Sequence, residues 1–202
     1  MALDDLLLLA AALAAIADWI AVARGWRPLE WVAKPATLAL LLLWAQLGPQ
    51  ASWALLAALT FSLLGDVYLM LPADLFLAGL LAFLVGHIAF VVAFDATWLS
   101  RGIWFAVVMA LTAPLSLRLL RAAPNLALRV AIGVYMTVIA LMVGSAIASG
   151  SLIASAGALL FMASDAMIAL NRFVAPFAAA RVAIIVTYHL GQFLLAYALR
   201  GQ

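Results

Sequence analysis

The chain has 202 residues, of which 70% are hydrophobic and only 9% are charged, and its mean hydropathy is +1.27. A soluble domain contains about 45–50% apolar and about 25% charged residues, and a chain of this size has too little interior to bury the excess. The formal net charge is only +2, and the ten Lys and Arg residues form no basic patch, which excludes a nucleic-acid-binding surface. The composition therefore excludes a soluble enzyme and a disordered chain, and it indicates an integral membrane protein.

Short polar or Pro/Gly clusters divide the chain into segments long enough to cross a bilayer. A helix needs about 20 mainly apolar residues to cross roughly 30 Å of hydrocarbon, and no segment alternates as the strands of a membrane barrel do. The seven breaks predict eight transmembrane helices, at about 3–23, 32–48, 52–71, 75–94, 102–120, 126–148, 152–171 and 177–199. The expected fold class is an all-α integral membrane protein, with a bundle of eight transmembrane helices that forms one domain over residues 1–202.

The first predicted helix ends in Ala21-Val22-Ala23, which fits the cleavage motif of a signal peptide. A signal peptide begins with basic residues, however, and Asp4 and Asp5 occupy that region here. We therefore expect the segment to be retained as a helix.

The basic residues fall mostly on one side of the predicted bundle. Only Arg101 and Arg200 flank the loops after the even-numbered helices and the C-terminus, whereas eight basic residues flank the loops after the odd-numbered helices: Arg24, Arg27, Lys34, Arg118, Arg121, Arg129, Arg172 and Arg181. Cytoplasmic loops carry the excess of Lys and Arg, so both termini are expected to face away from the cytoplasm. We expect the protein in the inner (cytoplasmic) membrane of a bacterium.

The two halves of the chain resemble each other weakly. Gly65-Asp66 in the third predicted helix resembles Ser164-Asp165 in the seventh, and each aspartate is followed by a helix with a lone histidine, His87 or His189. Because each half contains four helices, this pattern predicts a parallel repeat of residues 1–100 and 101–202, related by an axis along the membrane normal.

Both aspartates of the repeat are predicted to lie inside the membrane at the same level. Asp66 and Asp165 precede the cytoplasmic ends of their predicted helices by about five and six residues, which is roughly 8–9 Å at 1.5 Å per residue. His87 and His189 lie about twelve residues from the corresponding ends, or roughly 18 Å, so we expect them some 10 Å from the aspartates in depth.

Placing an ionisable side chain inside the membrane costs free energy, so such a residue usually faces the interior of the bundle and has a function there. We therefore predict that Asp66 and Asp165 are catalytic, one as a protonated general acid and the other as a carboxylate general base. Which aspartate has which role stays open at this point. The alternative is a pair that only stabilises the fold through hydrogen bonds or a Lys/Arg partner.

A set of further polar residues completes the candidate site as substrate-binding groups. Lys34, the only lysine, either binds an anion or extends to the membrane surface, and Arg172 either binds a lipid phosphate or serves as a topology charge. Asp18 is a candidate partner for Lys34 or another residue that lines the site. The remaining members are His87, Tyr135, Asn171, Tyr188, His189 and Gln192.

The sequence lacks the motifs of several common catalytic sites. There are two histidines and no cysteine, which is a poor donor set for zinc, and no Walker, GxGxxG or G-x-S-x-G motif occurs. We therefore expect no metal and no cofactor, and no protein partner can be inferred.

An ordered set of short stretches resembles the YhhN family of integral membrane lysoplasmalogenases. It covers residues 30–195 and comprises Lys34-Pro35, Leu64-Gly65-Asp66, Gly86-His87, Tyr135-Met136, Ser164-Asp165-Ala166, Asn171-Arg172-Phe173, and Tyr188 with Gln192. The resemblance implies a membrane hydrolase that cleaves the vinyl ether bond of a lysoplasmalogen, a lysophospholipid, to a fatty aldehyde and a glycerophospho-alcohol without a cofactor. His189 is not part of the stretches that carry the resemblance.

Two other functions are compatible with the same pattern. A small membrane transporter or lipid carrier would also have a parallel repeat, with the aspartates in its binding site. The polar residues cluster toward one face of the membrane, however, and do not line a path across it. A structural or regulatory membrane protein would use the same residues only for packing.

Overall fold

The computed structural model describes residues 2–49 and 52–200, and it contains no β-strand within those ranges. These residues form eight helices joined by short loops: α1 Leu3–Arg24, α2 Arg27–Gln46, α3 Trp53–Met70, α4 Phe76–Ala93, α5 Trp98–Ala122, α6 Leu126–Ala148, α7 Leu152–Phe173 and α8 Ala180–Leu199. The predicted all-α architecture is confirmed.

The outer surface of the bundle is apolar, as a lipid environment requires. Leu111 and Leu152 are 77% and 86% exposed, and seven of the described helices are long and apolar enough to cross a membrane. The exception is α2, which carries Arg27, Glu30 and Lys34 in its first eight residues. The chain is thus an integral membrane protein, whereas the crossing of the membrane by α2 stays a prediction.

Two helices begin earlier than the sequence pattern predicted. A break was expected through Pro28, but proline is tolerated in the first turn of a helix, where its missing N–H has no intrahelical partner, and α2 begins at Arg27. Lys34 and Pro35 therefore lie inside α2 and not at its start. Similarly, the Thr97 hydroxyl accepts a hydrogen bond from the Ser100 N–H and caps α5.

Helices that follow each other in the chain pack as antiparallel pairs, and the pairing is the same in both halves. The pairs are α1 with α2 and α3 with α4, then α5 with α6 and α7 with α8. Glycines permit close backbone approach within these pairs: a Cβ added at Gly157 would lie 2.9 Å from the Leu195 nitrogen, and one at Gly86 would lie 3.2 Å from the Ala58 carbonyl oxygen. The close pairs fix which faces of α3, α4, α7 and α8 point inward.

The centre of the core is a group of aromatic rings contributed by both halves. Phe161 of α7 is fully buried, and its ring makes edge-on contacts with those of Phe83, His87 and Phe90 on α4 and of Tyr188 on α8. The polar side chains described below lie around this aromatic centre.

Arg101 was expected among the basic residues that flank a loop, and the structure places it inside the protein. Its side chain is 7% exposed, and its guanidinium donates to the carbonyl oxygens of Val91, Phe94 and Ala96 and to the hydroxyl of Ser145. The end of a helix leaves its last carbonyl groups without intrahelical donors. Arg101 therefore closes the C-terminal end of α4, a role with no signal in the sequence.

Candidate active site

Asp66 lies in a buried cluster made by three helices. The side chain is 1% exposed; its Oδ1 lies 3.0 Å from Lys34 Nζ of α2, and its Oδ2 accepts a hydrogen bond of 2.7 Å from the Tyr188 hydroxyl of α8. Both carboxylate oxygens thus have a partner, and the ammonium group balances the charge. Lys34 forms its ion pair with Asp66, and no hydrogen bond joins it to Asp18, the other candidate partner, among the described residues.

Asp165 lies in a second cluster with different partners. Its Oδ2 accepts a hydrogen bond of 2.5 Å from the Tyr135 hydroxyl of α6, and His87 Nε2 of α4 lies 3.6 Å from the same oxygen. His87 Nδ1 is 2.6 Å from the Phe83 carbonyl oxygen, and a carbonyl can only accept. The ring hydrogen of neutral His87 is therefore on Nδ1, and Nε2 presents a lone pair beside the carboxyl of Asp165.

The two clusters are built in the same way. In each, the aspartate comes from the third helix of one half and a partner comes from the second helix of that half, Lys34 or Tyr135. The other partner comes from the fourth helix of the opposite half, Tyr188 or His87. Each cluster therefore contains residues of both halves.

The expected separation of His87 from the aspartates in depth is wrong for Asp165. Because α7 continues to Phe173 and α4 begins at Phe76, Asp165 and His87 lie eight and eleven residues from these adjacent helix ends. At 1.5 Å per residue the difference in depth is only about 4–5 Å, which side chains can span.

The Asp165 cluster opens into a pocket. The pocket lies among α3 to α7 and encloses about 810 Å³, including its open mouth. Its polar lining groups are Asp165, Tyr135 and Thr112, and all other lining residues are apolar. A long apolar group can therefore lie in this pocket with one of its atoms beside the carboxyl of Asp165, whereas Asp66 does not line the pocket.

Arg172 lies at the mouth of the pocket. Its guanidinium is 4.1 Å from the ring centroid of Phe76 and 5.8 Å from that of Phe173, and both rings line the pocket. The same group forms a two-pronged ion pair with Asp74, with distances of 3.0 and 2.9 Å. Its neighbour Asn171 instead accepts a hydrogen bond from the Phe177 N–H and holds the loop after α7.

His189 and Gln192 do not contact either aspartate of the repeat directly. His189 is fully buried; its Nδ1 accepts a hydrogen bond of 3.1 Å from Trp19 Nε1, and its Nε2 lies 4.0 Å from Asp18 Oδ2. Gln192 lies one helical turn beyond Tyr188 and is fully buried too. Trp19 was not among the predicted residues, because an indole in an apolar helix gives no signal of its own.

No three His, Asp or Glu side chains within residues 2–49 and 52–200 converge closely enough to hold a metal ion. The polar groups that the structure brings together are two carboxyls, two phenols, one ammonium and one imidazole. This arrangement is suited to proton transfer and to electrostatic stabilisation of a charged intermediate.

The sequence profile of the YhhN family matches residues 29–199. The chain belongs to the YhhN family. Among its relatives, the rat lysoplasmalogenase TMEM86B is 33% identical over 80% of this chain and 68% of its own length. The human lysoplasmalogenase TMEM86B is 35% identical over 68% of this chain and 59% of its own length, and the bovine lysoplasmalogenase TMEM86A is 34% identical over 68% and 61%.

The chain spans about two thirds or less of the length of these relatives. No solved structure matches it significantly. Both aspartate clusters lie entirely within the region that matches the YhhN profile, whereas Asp18 and Trp19 precede that region. The predicted resemblance to this family is confirmed.

Proposed function

We propose that this YhhN protein hydrolyses the vinyl ether bond of a lysoplasmalogen inside the membrane, producing a fatty aldehyde and a glycerophospho-alcohol. The observation that carries the proposal is the carboxyl of Asp165, which meets the end of an apolar pocket with a tyrosine and a histidine beside it. The relatives named as lysoplasmalogenases supply the substrate class.

The substrate would lie in the pocket with its alkenyl chain against the apolar walls. A lysophospholipid has one such chain, and the apolar side chains that line the pocket can pack against it. Its phosphate would lie at the mouth beside the guanidinium of Arg172, and the vinyl ether would lie near Asp165. Lys34 acts through Asp66, because it does not line the pocket.

The reaction begins with proton transfer from a carboxylic acid to the β-carbon of the vinyl ether. We assign this general acid to Asp165, because its carboxyl faces the pocket and has no cationic partner among the described residues. The π electrons of the double bond form the new C–H bond, and the ether oxygen stabilises the resulting oxocarbenium ion. Tyr135 and His87 hold the carboxyl of Asp165 in place.

Asp66 would act as the ionised carboxylate of the pair. Lys34 keeps it charged, so that it stabilises the oxocarbenium ion electrostatically and accepts a proton from the water that adds to that carbon. The hydroxyl proton of the resulting hemiacetal moves to the glycerol oxygen as the bond between the carbon and that oxygen breaks, which releases the aldehyde and the glycerophospho-alcohol. One water is consumed, and the proton gained at Asp66 balances the proton lost from Asp165.

We also propose that all eight helices cross the membrane as one domain built from two parallel halves, residues 1–100 and 101–202. The matching helix pairs in the two halves support this arrangement. The positions of the basic residues support an orientation in which both termini face away from the cytoplasm, in the inner membrane of a bacterium.

Aldehyde release from a lysoplasmalogen by the detergent-purified protein tests the function. The matched substrate control is the alkyl ether lysophospholipid with the same chain and head group but no double bond, which cannot be protonated to an oxocarbenium ion. We expect aldehyde from the vinyl ether alone. A folded, monodisperse protein that releases no aldehyde would contradict the proposal.

A further inference from the structure

A third polar cluster lies between α1 and α8, and the proposed reaction gives it no role. We call Asp18, Trp19, His189 and Gln192 the α1–α8 cluster. Trp19 Nε1 donates a hydrogen bond of 3.1 Å to His189 Nδ1, and the two rings stack with their centroids 6.4 Å apart. Since Trp19 lies on the first helix and His189 on the last, the cluster joins the two ends of the chain.

Five polar atoms of this cluster lack hydrogen-bond partners among the described residues. Asp18, His189 and Gln192 are 0% exposed, yet both carboxylate oxygens of Asp18, the Nε2 of His189 and both amide atoms of Gln192 have no hydrogen-bond partner within residues 2–49 and 52–200. Burying such groups without hydrogen bonds costs several kcal/mol, and buried polar groups in proteins are almost always satisfied by protein or by ordered water.

The geometry at His189 fits a bridging water. An indole N–H can only donate, so His189 Nδ1 accepts, and the hydrogen of the neutral ring is on Nε2. That N–H lies 4.0 Å from Asp18 Oδ2, too far for a direct hydrogen bond but within the span of one water molecule. An N–H donor, a carboxyl acceptor and an amide that does both provide the two to four partners that a buried water requires.

The cluster adjoins Asp66 through α8. Tyr188 precedes His189 in α8 and donates to Asp66, and Gln192 lies one turn further on the face of Tyr188. Lys34, which contacts Asp66, also lies within electrostatic range of Asp18 and His189. None of the four cluster members lines the pocket.

A surface ion pair lies near the cluster. Arg181 donates to both carboxylate oxygens of Glu30 at 2.7–2.8 Å, its side chain is half exposed, and both residues lie within electrostatic range of Asp18. Polar and charged side chains are therefore present at the surface near the start of α8, in the α1–α8 cluster and at Asp66.

We propose that the α1–α8 cluster is a water-binding site that supplies the hydrolytic water to Asp66, while the lipid reaches Asp165 from the opposite side. This inference rests on the proposed function for the use of the water but not for its binding. Hydrolysis consumes one water per vinyl ether, and an apolar pocket filled by an alkenyl chain offers water no path. The polar route from the Glu30–Arg181 pair provides one.

Radiolytic hydroxyl-radical footprinting in ¹⁸O-labelled water tests the binding without any substrate. A buried side chain is oxidised in such an experiment only where bound water lies beside it. We expect label at His189 and Tyr188, after correction for intrinsic reactivity, at several times the level of Phe90 and Trp44, which are equally buried. We further expect Asp18→Leu to remove the label from Tyr188 and to leave Trp44 unchanged.

Kinetics of the same variant test the use of the water. In Asp18→Leu we expect kcat to fall at least tenfold with KM unchanged, because the lipid pocket is intact, whereas Asp18→Asn, which can still bind water, stays within about threefold of wild type. Ser145→Ala, which alters a buried polar side chain on α6, is the matched control and should retain full activity.

Equal labelling of His189, Tyr188, Phe90 and Trp44 would show a dry cluster and overturn the proposal. A wet cluster whose Asp18→Leu variant keeps its kcat would overturn the supply of water while leaving the hydrolase assignment intact. If the wild-type protein releases no aldehyde, the proposed function fails, and the labelling still decides whether this site binds water.

Discussion

The two aspartate clusters have the same construction and different partners. Asp66 is 1% exposed, is neutralised by Lys34 and lies off the pocket, whereas Asp165 is 11% exposed, has only neutral partners in Tyr135 and His87, and lines the pocket. A buried charge is stable only when it is paired. The difference therefore supports the proposal that Asp66 stays a carboxylate and that Asp165 carries the proton.

The two histidines differ in a similar way. His87 donates from Nδ1 to a backbone carbonyl and turns a lone pair toward Asp165, whereas His189 accepts at Nδ1 from Trp19 and turns an N–H toward Asp18. The partner of one ring nitrogen thus sets what the other nitrogen can do. The proposed function places His87 on the lipid side of the site and His189 on the water side.

The largest expected effect is the loss of the proposed general acid. Asp165→Asn cannot protonate the vinyl ether, and we expect kcat for aldehyde release to fall about 10³-fold or more, which corresponds to about 4 kcal/mol of transition-state stabilisation. Asp95→Asn, at an exposed loop aspartate, is the matched control. A variant with the wild-type Tm that retains a tenth of the activity would reverse the assignment of the acid.

The ion pair of Asp66 predicts a stability effect that Asp165 should lack. Lys34→Met leaves a buried carboxylate without its cation, and we expect the free energy of unfolding to fall by about 3–5 kcal/mol. The double variant Lys34→Met/Asp66→Asn removes the uncompensated charge as well and should recover much of the loss. Thermal unfolding of the three proteins in one detergent measures this difference, and equal Tm values for the single and double variants would argue against an ionised Asp66.

The sequence predicted the aspartates better than their partners, for a physical reason. Asp66 and Asp165 can be found in the sequence because an ionisable group inside the membrane costs free energy whichever way its helix is rotated. The pairing of His87 with Asp165, and of Trp19 with His189, depends on how each helix is rotated against its neighbours. Helices that are apolar on all sides do not show that rotation in their sequence.

The basic residues also show what the sequence alone does not predict. Arg101 was interpreted as a charge near the membrane surface, and Lys34 either as such a charge or as an anion-binding group, yet Arg101 closes α4 and Lys34 pairs with Asp66. A long side chain near a helix end can reach water or turn inward, and only the free carbonyl or carboxylate groups that it meets decide between the two.

The two tyrosines offer a matched pair of substitutions. Tyr135→Phe removes a hydrogen bond from the carboxyl that faces the substrate, and we expect kcat to fall about 10²-fold. Tyr188→Phe removes one from a carboxylate that keeps its lysine, so a fall of about tenfold is expected. The kcat values at saturating substrate measure the contrast. A larger loss for Tyr188→Phe would mean that Asp66 is the proton donor.

The smallest expected effect is on substrate binding at the pocket mouth. Arg172→Gln removes a guanidinium beside Phe76 and Phe173, and we expect KM for a lysoplasmalogen to rise about fivefold with kcat unchanged, because the phosphate lies far from the reacting bond. Arg121→Gln, at an exposed arginine of α5 with the same expected membrane orientation, should leave KM within about twofold of wild type. An equal rise in both variants would mean that the substrate responds only to the total positive charge of this surface. A rise in Arg172→Gln alone would identify the mouth of the pocket, on the Asp165 side, as the route by which the lipid enters.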